Sequence, residues 1–234
     1  MNPWKRREVI GNATLYLGDC LEILPTLGNA DAVITDPPYG VGIKYGEHYD
    51  DNRDSYWEWF LPALHTIRSA CTTLVFTHRV SALHHVKEWD WVGVWNKPGA
   101  FGARLGNSAV LPHWEPIFMF GIHGAGTKSH YTADVFTVNP EPAKAGIKGI
   151  GREKWEGSFT NHPCPKPVPL YQQLVKAFAQ GTETVHDAFM GSGTTGVAAM
   201  ALGKKFVGIE LGETFFNQAC ERLENAQRQE RLFA

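Results

Sequence analysis

"DAFMGSGTTGVAA", residues 187–199, carries three glycines in the pattern G-x-G-x-x-G. The motif falls between a predicted strand, 183–189, and a predicted helix, 193–203. Glu210 follows Gly191 by 19 residues and ends the next predicted strand, 204–210. Small residues let the backbone approach a ligand, and a carboxylate at the strand end can bind ribose hydroxyls. The pattern predicts a nucleoside-binding loop, although a tight turn packed against a sheet would also need these glycines.

Strands alternate with helices over most of the chain. After a hairpin at 8–19, strands are predicted at 31–35, 72–77, 91–96, 115–121, 183–189 and 204–210, and helices at 55–70, 167–181, 193–203 and 213–233. This order predicts an α/β fold: a Rossmann-like, mostly parallel sheet of about seven strands with helices on both faces. Residues 1–234 form one predicted domain. Residues 122–160, rich in Gly, Pro, Lys and His without sustained periodicity, are predicted to form an inserted lobe.

A second motif, "TDPPYG" at residues 35–40, follows the apolar run "DAVI". Two consecutive prolines cannot donate hydrogen bonds to neighbouring strands, so the strand must end there. Only about 40 residues follow the glycine loop, so the remaining chemistry must lie upstream of it. A nicotinamide-dependent dehydrogenase, which normally has the glycine loop near its N-terminus, is therefore the less favoured alternative, along with a non-catalytic nucleoside-binding module.

The composition narrows the class of protein. The formal net charge is −2, so any nucleic-acid site must be local rather than a broad basic face. The four cysteines lie far apart with no C-x-x-C spacing, which argues against structural zinc and a disulfide framework. No metal site is predicted. No apolar run reaches the length of a membrane span, so a cytoplasmic protein is expected.

Taken together, the two motifs resemble those of amino-group DNA methyltransferases, in the permuted beta group whose catalytic motif precedes the cofactor loop. "GDCLEIL" (18–24), "WNKPG" (95–99), "HWEPIFMFG" (113–121), "NHPCPKPVPLYQQLV" (161–175) and "FVGIEL" (206–211) resemble further segments of that family. Ala188 departs from the family, which usually has proline after the strand-end aspartate. The resemblance implies S-adenosylmethionine as cofactor and DNA as substrate. Homodimers are common in the family, but no residue here indicates one.

The resemblance also implies the site residues. Asp36 and the Pro37 carbonyl would bind the amino group, Pro38 would stiffen the turn, and Tyr39 would stack on the base. Because a paired base cannot reach such a pocket, it would be flipped out or single-stranded, and transfer would be a direct displacement without a metal. The expected cofactor contacts are Asp19, Cys20, Lys166, Asp187, Phe189, Gly191, Ser192, Gly193, Thr194, Thr195 and Glu210.

Basic residues in two segments are the predicted DNA contacts, although solvated loops would have the same charges. They are Lys44, Arg53, Lys144, Lys148, Arg152 and Lys154. Within the family that the motifs resemble, Asp at the first position of the catalytic motif is typical of adenine-N6 enzymes, so the resemblance implies adenine N6 as the target, with cytosine N4 as the alternative. Methylation of RNA or of a protein amide remains open at this stage.

Overall fold

The computed structural model describes residues 2–42, 51, 55–98, 112–122, 132–140 and 166–233. Its strands are β1 (Arg6–Ile10), β2 (Ala13–Leu17), β3 (Ala30–Thr35), β4 (Cys71–Thr77), β5 (Trp91–Asn96), β6 (Trp114–Phe120), β7 (Val135–Thr137), β8 (Thr184–Asp187) and β9 (Lys205–Glu210). Its α-helices are α1 (Cys20–Ile23), α2 (Tyr56–Ser69), α3 (Val168–Phe178), α4 (Thr194–Met200) and α5 (Glu213–Phe233). Two short 3-10 helices, Leu24–Thr26 and Val80–His84, complete the described elements.

All the described strands belong to one sheet, in the order β1-β2-β9-β8-β3-β4-β6-β5-β7. The pairs β2–β9, β9–β8, β8–β3, β3–β4 and β5–β7 are parallel, and the others are antiparallel. The mostly parallel α/β sheet is therefore confirmed. No described helix combines the length and apolar character needed to cross a membrane.

The predicted count of about seven strands is wrong, because the described sheet has nine. The hairpin at the N-terminus joins the main sheet, since β2 pairs in parallel with β9. The short strand β7 was not predicted. Phe136 is its one buried side chain, so its sequence has no alternation long enough to detect. It lies inside the predicted lobe, 122–160, yet it pairs with β5 at the edge of the sheet.

Successive side chains along each strand point to opposite faces of the sheet and pack into two hydrophobic clusters, one on each face. In β3, Ile34 packs into the cluster that α3, α4 and α5 cover, whereas Val33 packs into the cluster that α1 and α2 cover. Strands buried on both faces are typical of parallel sheets flanked by helices. The polar residues of the two sequence motifs then lie at the carboxyl ends of the central strands, where the chain leaves the sheet.

Candidate active site

The two motifs meet where β3 and β8 lie side by side. From β3 the chain continues to β4 on one side, and from β8 it continues to β9 on the other. Such a reversal of direction opens a crevice at the carboxyl ends of the strands, which is where α/β sheets bind ligands. The Thr35 hydroxyl donates to Oδ1 of Asp187 over 2.5 Å and accepts from the Phe189 amide over 3.2 Å. The catalytic and cofactor motifs are thus hydrogen-bonded to each other.

Asp36 is the first residue beyond β3, and both of its oxygens accept hydrogen bonds. The Thr77 hydroxyl donates to Oδ1 over 2.5 Å, and the Lys166 ammonium donates to Oδ2 over 2.9 Å. Burial raises the pKa of Asp36, while Lys166 and Thr77 act in the opposite direction. The resemblance assigned Lys166 to the cofactor; the structure places it against the Asp36 carboxylate.

Tyr39 is fixed by contacts to its hydroxyl and to its ring. The hydroxyl donates to Oε2 of Glu115 over 2.8 Å. The His78 ring stacks against the Tyr39 ring with centroids 4.7 Å apart and planes 12° apart, and Lys166 Nζ lies 4.4 Å from the Tyr39 centroid. The aromatic ring of the motif therefore has a defined orientation beside Asp36.

Glu115, at the start of β6, is a site residue that the sequence reasoning missed. It pairs with Lys97 over 2.8 Å and lies 3.7 Å from the Lys166 ammonium. Burial acts to raise the pKa of Glu115, but the two lysines outweigh it and the pKa is lowered. A lone carboxylate inside the apolar strand "WEPIFMF" was the available signal, because a buried charge requires partners.

His78 and Tyr56 form a second unpredicted group, which holds the backbone of the motif. The Arg79 amide donates to Nδ1 of His78 over 2.8 Å, so Nε2 carries the proton and donates to the Tyr56 hydroxyl over 2.7 Å. That hydroxyl donates to the Pro38 carbonyl over 2.5 Å. Burial lowers the pKa of His78 well below its usual value, with Arg79 adding to the effect, so the imidazole is neutral.

Gly40 ends the catalytic motif in a backbone conformation that favours glycine, with φ of +64°. A β-carbon there would collide with the Tyr56 ring. The buried Asp51 carboxylate accepts the Gly40 amide over 2.6 Å and the Val41 amide over 2.7 Å. These bonds fix the chain as it leaves the catalytic turn.

The Glu210 carboxylate accepts backbone amides from the glycine loop and from the chain that follows β9. Oε2 of Glu210 accepts the Gly191 amide over 3.0 Å, and Oε1 accepts the Gly212 amide over 2.7 Å. Burial raises the pKa of Glu210 to about 7 despite these bonds. Gly191 and Gly193 have φ of +50° and +83°, so the turn requires residues without a β-carbon.

The polar side chains of the loop are also held in place. Nη1 of Arg222 in α5 donates to the Thr194 hydroxyl over 2.9 Å and to the Ser192 hydroxyl over 3.2 Å. Thr195 hydrogen-bonds to Asp187, and burial raises the pKa of Asp187 to about 6. The side-chain anchor provided by Arg222 was not predicted, because it comes from a helix far along the chain.

Asp19 and Cys20 lie at the end of β2, next to β9. The Gly18 amide donates to the Glu210 carbonyl over 2.9 Å, which brings Asp19 to the same edge as the cofactor loop. Oδ1 of Asp19 accepts the Leu21 amide over 2.9 Å and caps α1. Cys20 is buried in the hydrophobic cluster under α1 and α2, and its pKa is raised by that burial and by Asp19. Their contacts with the cofactor stay predictions.

The predicted DNA contacts, Lys44, Arg53, Lys144, Lys148, Arg152 and Lys154, lie outside the described residues. The predicted catalytic residues and the expected cofactor residues lie within them. The structure brings Asp36, Tyr39 and Lys166 together. Asp187 is connected to this group through its hydrogen bond with Thr35, the residue before Asp36. A carboxylate beside a stacking ring, next to a nucleoside-type crevice, is suited to act on an amino group of a planar base.

Comparison with known proteins identifies the class. A DNA methylase family model, that of the N6 and N4 enzymes, matches residues 93–221. The protein YubD of Escherichia coli (strain K12), which is named as a methylase, is 31% identical over 217 residues, covering 90% of each chain. The type II methyltransferase M.HpaI of Haemophilus parainfluenzae is 26% identical over 83% of this chain and 68% of its own. The chain is a DNA methylase.

Solved structures agree with the fold. The M1.HpyAVI complex with S-adenosylmethionine superposes with a TM-score of 0.59 at 20% identity, covering 90% of this chain and 99% of that one. The cytosine-N4-specific PvuII DNA methyltransferase gives 0.64 at 14% identity, covering 97% and 95%. The chain belongs to the N6/N4 family of S-adenosylmethionine-dependent DNA methyltransferases, which confirms the resemblance drawn from its motifs.

Proposed function

We propose that this enzyme transfers a methyl group from S-adenosylmethionine to the N6 amino group of adenine in DNA. The observation that carries the proposal is the position of Asp36. Its carboxylate lies at the end of β3, held by Thr77, and the Thr35–Asp187 hydrogen bond joins it to the Glu210 crevice. A fixed acceptor for an amino group therefore lies beside a site suited to a nucleoside.

The residues of the crevice fit the proposed cofactor. The Glu210 oxygens accept backbone amides, Oε2 that of Gly191 and Oε1 that of Gly212, and the two oxygens of a carboxylate together have about four acceptor positions, so that a ribose hydroxyl can also bind. We assign Asp19 to the adenine edge and Asp187, with the Phe189 turn, to the methionine amino group. Residues 191–195 line the methionine and ribose portions, Cys20 packs behind Asp19, and Lys166 is assigned to the methionine carboxylate. The cofactor supplies a methyl group on a positively charged sulfur, an electrophile that needs no further activation.

The chain's contribution is to prepare the nucleophile. An exocyclic amino nitrogen is weakly nucleophilic, because its lone pair is delocalised into the base. We propose that Asp36 accepts one amino hydrogen and the Pro37 carbonyl accepts the other, since Tyr56 already binds the Pro38 carbonyl. These acceptors draw the lone pair out of conjugation at a fixed geometry, which is electrostatic preorganisation. The nitrogen gains a bond to the methyl carbon as the carbon–sulfur bond breaks, and the cationic nitrogen then releases one proton to the solvent.

The aromatic side of the pocket holds the base. Tyr39, oriented by Glu115 and His78, would stack on a base that has left the duplex or is single-stranded. Base–aromatic stacking contributes about 1–3 kcal/mol per base. We therefore propose Tyr39 as the stacking residue and Asp36 as the residue that contacts the reacting atom.

The DNA backbone contacts remain part of the proposal. We assign them to the basic residues of 43–54 and of 141–155, and the choice of target sequence to the segment 122–160. The ends of that segment support this assignment. Ile122 joins it to β6, and Lys166 at the catalytic carboxylate follows it. A symmetric dimer of this chain also remains a proposal, to be tested by its mass in solution.

Cytosine N4 is the alternative target, supported by the fold similarity to a cytosine-N4-specific enzyme. Mass analysis of nucleosides from treated DNA separates the two. We expect N6-methyladenine; N4-methylcytosine without N6-methyladenine would refute the adenine assignment. Labelled methyl transfer to DNA, RNA and protein in parallel tests the substrate class, and transfer to DNA alone is the expected result.

A further inference from the structure

In the structure, the Lys166 ammonium lies where the proposed reaction would place the amino group of the target base. Its ammonium lies 2.9 Å from Oδ2 of Asp36 and 4.4 Å from the centre of the Tyr39 ring. A base stacked on Tyr39, with its amino group hydrogen-bonded to Asp36, would need its amino nitrogen at similar distances from the same two groups. The lysine ammonium thus resembles the target amino group in its position and in donating hydrogen bonds.

Electrostatics opposes the presence of both groups during transfer. Methylation moves a positive charge from the sulfur to the amino nitrogen. A lysine ammonium on the same carboxylate oxygen would repel that developing charge, and the repulsion is strong because both partners of the ion pair are largely buried. The productive complex therefore requires Lys166 to leave Asp36.

Lys166 is the neighbour of Asp36 best able to move. Thr77, the other hydrogen-bond partner of Asp36, belongs to β4 and is fully buried. Lys166 instead reaches Asp36 through a flexible four-carbon side chain from the residue two before α3. The cofactor crevice is close to Asp36, because the preceding residue, Thr35, is hydrogen-bonded to Asp187 in the crevice.

We propose that Lys166 holds the place of the target amino group in the cofactor-free enzyme, and moves to the carboxylate of the bound cofactor before the base enters. The inference rests on the proposed function. It implies that cofactor and base bind in that order. Lys166 exchanges the Asp36 carboxylate for that of the cofactor, and Glu115 keeps its ion pair with Lys97. The target nitrogen enters uncharged and becomes the positive partner of Asp36 as the methyl group is transferred.

The test uses the full-length protein and a duplex containing its target site, once methylation-sensitive sequencing has identified that site. 2-Aminopurine replaces the base next to the target adenine, so that the target keeps its N6 amino group, and its emission reports the unstacking that accompanies entry of the target base into the pocket. Three conditions are compared: no cofactor, S-adenosylhomocysteine, and 5′-methylthioadenosine, which keeps the nucleoside and sulfur but lacks the carboxylate. The variants are Lys166→Met and, as a charge-matched control on the exposed side of α3, Lys176→Met.

For the wild type and Lys176→Met we expect S-adenosylhomocysteine to shift the base into the pocket by about tenfold, and 5′-methylthioadenosine to have no effect. Lys166→Met should take up the base equally under all three conditions. The inference would be overturned if the wild type took up the base equally with and without S-adenosylhomocysteine. It would also be overturned if S-adenosylhomocysteine and 5′-methylthioadenosine had equal effects on the wild type. Both comparisons use the wild type alone, so they do not depend on whether the Lys166→Met variant folds. Labelled methyl transfer to the unmodified duplex tests the proposed function separately: transfer with cofactor-independent base entry rejects only the role of Lys166.

Discussion

Replacing Asp36 by asparagine removes one negative charge from the catalytic pocket while keeping the shape of the side chain. A full positive charge about 3 Å from a carboxylate gains about 5.5 kcal/mol at an effective dielectric constant of about 20. With the charge half developed in the transition state, the loss is about 2.8 kcal/mol, or about 100-fold in rate. Binding of S-adenosylhomocysteine should not weaken, because the proposed ribose contacts lie on Glu210 and Lys166 loses the carboxylate that competes with the cofactor for it.

The assay is single-turnover methyl transfer to target DNA, with calorimetry for the cofactor product. Asp31→Asn is the matched control, since Asp31 is an exposed aspartate on the same strand, β3, and its replacement should leave the rate unchanged. If Asp36→Asn transferred methyl groups at a rate within about threefold of the wild type, a charged acceptor would not be part of the mechanism. A parallel loss of cofactor binding would instead indicate that Asp36 shapes the crevice.

Three further predictions concern the structures around this pocket. Because burial raises the pKa of Glu210 to about 7, ionisation of Glu210 destabilises the fold as the pH rises from about 4.5 to 7. In urea unfolding, Glu210→Gln should therefore gain stability relative to the wild type between pH 5 and 8, by at most about 3 kcal/mol. The same variant should lose affinity for S-adenosylhomocysteine. Tyr56→Phe removes the donor to the Pro38 carbonyl, and we expect about 1–2 kcal/mol lower stability and about tenfold slower transfer at unchanged cofactor affinity; an unaltered rate would show that the turn needs no such support. Gly193→Ala should cost more stability than Gly203→Ala, by about 1–2 kcal/mol in urea unfolding, because both have positive φ but only Gly193 has a side chain within 3 Å of the added carbon; equal losses would contradict that packing account.

The sequence predicted the parts of the site that lie within short, contiguous motifs. Glu210 was identifiable because a fixed number of residues separates a glycine loop from the end of the next strand. Asp36 was identifiable because two prolines must end the strand that precedes them. In both cases the chemistry depends on local backbone geometry, which a sequence pattern records directly.

The parts that were not predicted depend on contacts between distant segments. Glu115 meets Tyr39 across a separation of 76 residues, and Arg222 meets Thr194 across 28. No local rule connects such pairs, and only the packing of β6 and α5 brings them together. Lys166 is a further example. The motif at residues 161–175 predicted a lysine at this position, but it did not predict that the lysine would pair with Asp36 in the folded chain.

The strand order has a consequence for the synthesis of the protein. Strands β8 and β9 come last in the chain, yet they lie between β2 and β3, which come early. An emerging N-terminal portion therefore has a gap two strands wide in its sheet, with unpaired backbone groups on both sides of it. Pairings between such distant segments form slowly, and open strand edges promote aggregation. The cofactor crevice lies in that gap. When β8 and β9 are added, the nascent chain therefore pairs these open strand edges and completes its binding site in the same late step.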